Sequence, residues 1–156
     1  MVKTIVNSLS PFGVSRGAIG NIPGSIARGN SYSGNGPELL KELTGGSFFI
    51  DNGKANILGE SEVLDTPIRV IDSSNGLIST PVRETTYINF DMIFEPQLLL
   101  GQRVQLNSRT QKNFNGLYKV VSIHHKGTIS EAVGGPAVTS VGLFYGPKSL
   151  TVVPEG

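Results

Sequence analysis

The side chains best suited to acid–base, nucleophilic or metal chemistry are sparse. The chain holds two histidines and no cysteine, so thiol catalysis, disulfide frameworks and cysteine-based zinc sites are excluded. His124 and His125 are sequence neighbours in a strand-like run. Adjacent strand residues point to opposite faces, so the pair cannot ligate one metal together, and one satisfied and one exposed strand histidine is expected. A glycosidase would need two carboxylates across a cleft. Asp51, Asp65, Asp72, Glu84, Asp91 and Glu95 each fall in a turn or at an outward strand position, and no spacing selects a pair. No serine sits in a Gly-x-Ser-x-Gly elbow. The run Gly142–Ser149 is too short for a phosphate loop, and Pro147 removes an N–H where such a loop needs donors. Gly17–Gly24 does not fit the dinucleotide fingerprint either. No catalytic, cofactor-binding or metal-ligating residue is assigned, no cofactor is implied, and the expectation is a protein that is not an enzyme.

The basic residues allow one binding alternative. Arg103, Arg109, Lys112 and Lys119 gather around one hairpin with Phe114 and Tyr118 interleaved. Basic and aromatic residues on one barrel face are what an OB-like module for single-stranded nucleic acid or glycan uses. That alternative requires Arg103, Lys119 and Tyr118 to line one groove. Against it, Asp91 and Glu95 lie in an adjoining strand and the net charge is only +1, so no global field attracts nucleic acid.

The elements that must position these groups read as mainly β. Charged residues are 16 %, while 20 glycines and 9 prolines punctuate the 156 residues; that balance favours short strands and turns over a helical bundle. No run reaches the ~18 apolar residues that a membrane helix needs, and the N-terminus does not read as a signal peptide, so the chain is expected to be soluble and made in a cytoplasm. Residues 1–36 hold seven Gly, six Ser and four Asn with no acidic residue, and are expected as an extended Gly/Ser/Asn-rich arm that orders on a neighbour. Residues 37–75 form a small α+β unit. Pro37 opens a short helix to residue 44, and Asn52-Gly53 joins two strand-like runs into a hairpin. The run 63–71 is confined by Pro67 to an edge or a bend.

Residues 76–156 are expected as a small β-barrel. Ile88, Phe90, Met92 and Phe94 alternate over 86–94; further strands fall at 101–106, 117–125 and 137–145. The residues expected to hold the barrel together are Phe90, Met92, Phe94, Val104, Leu106, Tyr118, Val120 and Val121.

Several short runs occur in series: Gly36–Leu43, Phe48–Lys54, Asn75–Pro81, Phe94–Leu98, Leu100–Leu106 and Asn115–Gly127. Their order and spacing over residues 36–127 resemble the central part of phage tail baseplate central hub proteins, the contractile-tail, late-control-D-like family. Thr128 stands where that family usually has an acidic residue, and only the 36-residue stretch precedes the match where family members carry a further N-terminal barrel. The resemblance implies a hub-like structural virion protein in an axial ring that joins the tail tube to the central spike, assembled in the host bacterial cytoplasm. It implies partners in copies of itself, as trimer or hexamer, and in tail-tube and spike or baseplate proteins. Membranes are excluded as partners, and nucleic acid enters only as DNA passing through the lumen.

Overall fold

The computed structural model describes residues 2–21, 35–45, 47–128, 134–146 and 149–155. The elements in chain order are helix α1 (Val2–Asn7), strand β1 (Ser15–Ile19), helix α2 (Gly36–Leu43), β2 (Phe48–Asp51), β3 (Lys54–Ile57), β4 (Glu62–Leu64), β5 (Arg69–Asp72), β6 (Val82–Glu84), β7 (Tyr87–Ile93), β8 (Arg103–Asn107), β9 (Gly116–Lys126), β10 (Val138–Phe144) and β11 (Thr151–Val153). Single 3-10 turns at Ser10–Phe12 and Lys112–Phe114 complete the list of helical segments among the described residues. The fold is mainly β with short helices, as the Gly/Pro-punctuated composition requires.

The largest sheet has the order β5-β8-β9-β10-β7-β6 and curls into a half-barrel. Only β5 and β8 run parallel in it. Its inner face buries Ile71, Ile88, Phe90, Met92, Leu98, Val104, Leu106, Val120, Val141 and Leu143. The inward residues of β7 follow the period of two: Ile88 faces Leu143, Phe90 faces Val141 and Met92 faces Thr139 across the β7–β10 ladder. On β9 the parity breaks. Leu143 pairs with Val120 but Gly142 pairs with Ser122, so Val121 is an extra, unpaired residue. Such a bulge bends the strand and moves the inward positions from even to odd numbers; Val120 is buried, Val121 is half-buried, and Ile123 takes up the core side against Val141.

Six of the eight residues expected to hold the barrel pack in or against this core. Phe94 does not: it is 46 % exposed, because the chain leaves the sheet after Ile93 and the Glu95 N–H turns to Thr139 Oγ1 at 2.9 Å. Val121 is displaced from its inward position by the bulge.

A second sheet, β1-β3-β2, carries the other core. The hairpin β2–β3 turns on Asn52 (φ 48°) and Gly53 (φ 71°), the positive-φ pair that a two-residue hairpin demands. Val2, Val6, Leu9, Leu40, Phe48, Ala55 and Ile57 pack together against it. Residues 2–21 are therefore not an extended arm. α1 lays Val2 and Val6 on α2, and β1 pairs parallel with β3. The physical reason is that Val2 and Val6 share one face of α1 and Leu9 follows in the next turn, an apolar set within an otherwise polar stretch. Residues 22–34 of the expected arm lie outside the described residues.

β1 and β3 lose register between Arg16 and Ile19, and the buried Asn56 side chain fills the gap by accepting the Ala18 N–H at 2.9 Å. Gly17 is required there, since a Cβ would stand 2.2 Å from Asn56 Oδ1. The chain then returns to this region at its far end. β11 pairs parallel with β4, Glu155 bridges Ala18, and Lys54 Nζ meets Glu155 at 2.5 Å. Removing residues 1–36 takes α1, β1 and the buried Val2, Val6, Leu9 and Ala18 away, so the expected outcome is a large fall in melting temperature by circular dichroism. A shortened chain melting like the full one would show that α1 and β1 contribute nothing to the stability of the fold.

Candidate functional site

Three regions hold the groups that could serve function. The first is the pair of sheet ends. β5 and β6 are the terminal strands of the curled sheet, and among the described residues no ladder covers the outer edge of either. Pro67 bends the chain between β4 and β5, so the single run expected over 63–71 is two strands, with β5 at an edge. Ile68 and Val70 are exposed at that edge, and Ile78 and Val82 at the other. The Asp72–Gly76 turn, tied by Asp72 Oδ1 accepting from Ser74 N, Ser74 Oγ and Asn75 N at 2.8 Å each, carries the chain between them. The Ser74 hydroxyl, outweighing desolvation and joined by the two amides, holds the Asp72 carboxyl below its usual range.

The second region is the junction between the two sheets. Lys119 points away from the half-barrel core and is 6 % exposed, with its Nζ donating to Gly59 O at 2.6 Å and Leu58 O at 3.4 Å. Burial holds its ammonium below the usual lysine range, with Glu62 and Glu60 pulling the other way. Glu62 in turn accepts the Gly59 N–H and the Asn21 N–H at 2.8 Å each. Gly101 (φ 80°) lies beside it, donating its N–H to Val120 O at 2.8 Å and accepting from Leu64 N at 2.9 Å. Asp51 Oδ2 accepts the Leu100 N–H at 3.1 Å.

This placement separates the residues that a nucleic-acid groove would need together. Arg103 and Lys119 are cross-strand partners on the side turned to the hairpin, whereas Tyr118 pairs with Val104 and packs against the core. The three line no common groove. Tyr118 stacks on Tyr145 at 6.1 Å between ring centroids, Phe114 meets the same ring edge-on at 6.4 Å, and the Arg83 guanidinium lies 4.2 Å over it. The three aromatics pack, partly buried, against the half-barrel core.

The third region is the outer face of β7, β10 and β9. The two histidines do point to opposite faces. His125 bonds Thr139 through Nδ1 at 2.9 Å and takes Phe94 edge-on at 5.2 Å, while His124 is the outer-face partner of Ser140. The register places Asp91, Ser140 and His124 in one row, a grouping that three separate strands hide from the sequence. The wiring is not that of a nucleophilic triad. Ser140 lies between the other two and donates to Asp91 Oδ1 at 2.6 Å, so the carboxylate holds the serine proton rather than orienting the imidazole. Among the described residues no group of three or more His, Asp or Glu side chains is placed to hold a metal ion. No helix there is long and apolar enough to cross a membrane. The phosphate-loop comparison at Gly142–Ser149 ends in Pro147 and Lys148, which lie outside the described residues.

No family model matches the chain, and no curated protein matches it either.

Proposed function

We propose that this chain is a hub-like, non-enzymatic structural subunit of a phage tail baseplate, and that it takes its place in a ring joining tail tube to central spike. The reading rests on the motif series over residues 36–127 together with one structural observation. The half-barrel stays open, and its two free edges expose Ile68 and Val70 on one side and Ile78 and Val82 on the other. A sheet edge presents unpaired N–H and C=O groups, a template for another strand, and apolar side chains beside it add driving force on docking. Because the two edges differ, one edge meeting the other in the next copy is a heterologous contact, which closes into a ring when the rotation permits. Neighbouring tail-tube and spike proteins complete the partner set in this reading, and the virion is its location.

The test is native mass spectrometry and sedimentation of the wild-type chain beside Val70→Lys and Val82→Lys. Both positions are exposed, so each lysine is expected to leave melting unchanged while converting a threefold or sixfold species into monomer. Wild-type protein that stays monomeric at every concentration, or variants that assemble as before, would remove the edge-to-edge ring.

A further inference from the structure

The outer face of the half-barrel has a trough of about 430 Å³ along β10, within the ~300–1,000 Å³ span of small-molecule sites. Its floor is set by sequence. Ser140 and Gly142 alternate with the core residues Val141 and Leu143, so the middle of β10 offers the outer face a serine and a glycine between Val138 and Phe144. The flanking strands supply walls in two rows, Asp91–Ser140–His124 and Asn89–Gly142–Ser122. Gly142 opens the second row. A Cβ there would stand 3.1 Å from Ser122 Cβ and 3.2 Å from Asn89 Oδ1, so the glycine is what keeps the floor low between these two side chains.

The hydrogen bonds already made decide which valences remain. Asn89 Nδ2 gives one of its two hydrogens to Glu84 Oε2 at 3.0 Å, and its Oδ1 stands beside Gly142 as an acceptor. Ser140 occupies Asp91 Oδ1, leaving Oδ2. Ser79 Oγ accepts the Asp91 N–H at 2.7 Å and keeps a proton to donate. No lysine or arginine lines the trough, so phosphate, carboxylate and nucleic-acid backbone find no counter-charge. An ammonium group could only donate, and would leave the Ser79 proton without a role. Adjacent hydroxyl groups both donate and accept, and match a carboxylate flanked by neutral hydroxyl and amide oxygens.

We infer that this trough binds a saccharide through adjacent ring hydroxyls, with Asp91 and Asn89 as the principal acceptors and Gly142 as the floor. The inference does not depend on ring assembly.

It is tested by titrating the ¹⁵N-labelled full chain with glucose, galactose, mannose and N-acetylglucosamine, with methylammonium and inorganic phosphate as controls. The expected result is saturable amide shifts at Asn89, Asp91, Ser122, Ser140 and Gly142 for at least one sugar, with Kd on the order of millimolar. Gly142 has no positive φ, and a side chain there presses on Ser122 Cβ at 3.1 Å, so Gly142→Val closes the floor between the two walls, and it abolishes the shifts. Asp91→Asn keeps the shape and the bond from Ser140, and weakens binding roughly tenfold through loss of charge-assisted bonds. Should Gly142→Val fail to fold, Asp91→Asn and Ser122→Val carry the same comparison. No saturable shift with any of the sugars, equal response to methylammonium, or unchanged binding in folded variants would overturn the assignment.

Discussion

Replacing Lys119 by alanine is expected to cost the folded chain about 2–4 kcal/mol, the sum of a lost buried stem and of two backbone carbonyls left without their charged donor. Lys119→Met keeps most of the stem, and its expected cost is about 1–2 kcal/mol, because removing the buried ammonium also removes its desolvation. Denaturant melts of the three proteins check the ranking. Methionine costing as much as alanine would mean that stem packing contributes nothing.

The same residue predicts the shape of the alkaline stability profile. Its folded pKa lies below the unfolded value near 10.5, so between the two the unfolded chain binds more protons and stability rises with pH. Tyr118, one residue away on the other face, acts in the opposite sense. Burial, with Tyr145 adding to it, raises the Tyr118 phenol above 10.0, so stability falls as the unfolded tyrosine ionises above that value. The difference between wild type and Lys119→Met isolates the lysine contribution. It should show the wild type gaining on the variant as pH climbs toward 10.5, and a flat difference would show that the ammonium is not penalised by burial.

Gly101→Ala is the second large effect, expected at about 2–4 kcal/mol. The residue sits at φ 80°, where a side chain is strained, and a Cβ would stand 2.6 Å from Leu58 Cδ1 and 3.2 Å from Phe49 Cζ. Its backbone cannot yield easily, since it bonds Val120 on one side and Leu64 on the other. Leu58→Ala makes room, so the double variant should cost less than the sum of the single ones. Strict additivity in a double-mutant cycle would assign the whole loss to backbone strain and none to the contact.

Local signals explain how much of this fold was legible beforehand. The Asn52-Gly53 turn, the Pro37 helix start and the alternation of Ile88, Phe90 and Met92 each act within a few residues, and each element forms where its chemistry places it. Phe94 continues the same alternation and fails, because the strand ends one residue earlier for a reason held by Thr139, far along the chain. The N-terminal strand was hidden by its composition. Ser15–Ile19 has little apolar content, and it is a strand because β3 offers an edge and Asn56 a side-chain acceptor. Lys119 reads from sequence as one of four basic residues around a hairpin, a candidate groove residue. It is outward from the half-barrel, but the β2–β3 unit covers that face, a layer that periodicity cannot see. The outer-face row was illegible for a similar reason: register across three strands, not spacing along one, brings Asp91, Ser140 and His124 together.

Three of the eight ladders among the described residues are parallel: β1 with β3, β5 with β8, and β11 with β4. None can nucleate from a tight turn, so each must wait while a long stretch of intervening chain is closed into a loop. Folding dominated by such encounters runs on the millisecond-to-second scale rather than in microseconds. Throughout that interval the sheet edges and their exposed apolar residues are bare, before the half-barrel has set their geometry. The kinetic hazard is therefore premature self-association, and it grows with concentration during synthesis. Refolding yield should fall as protein concentration rises, and the charge substitutions at Val70 and Val82 should recover it.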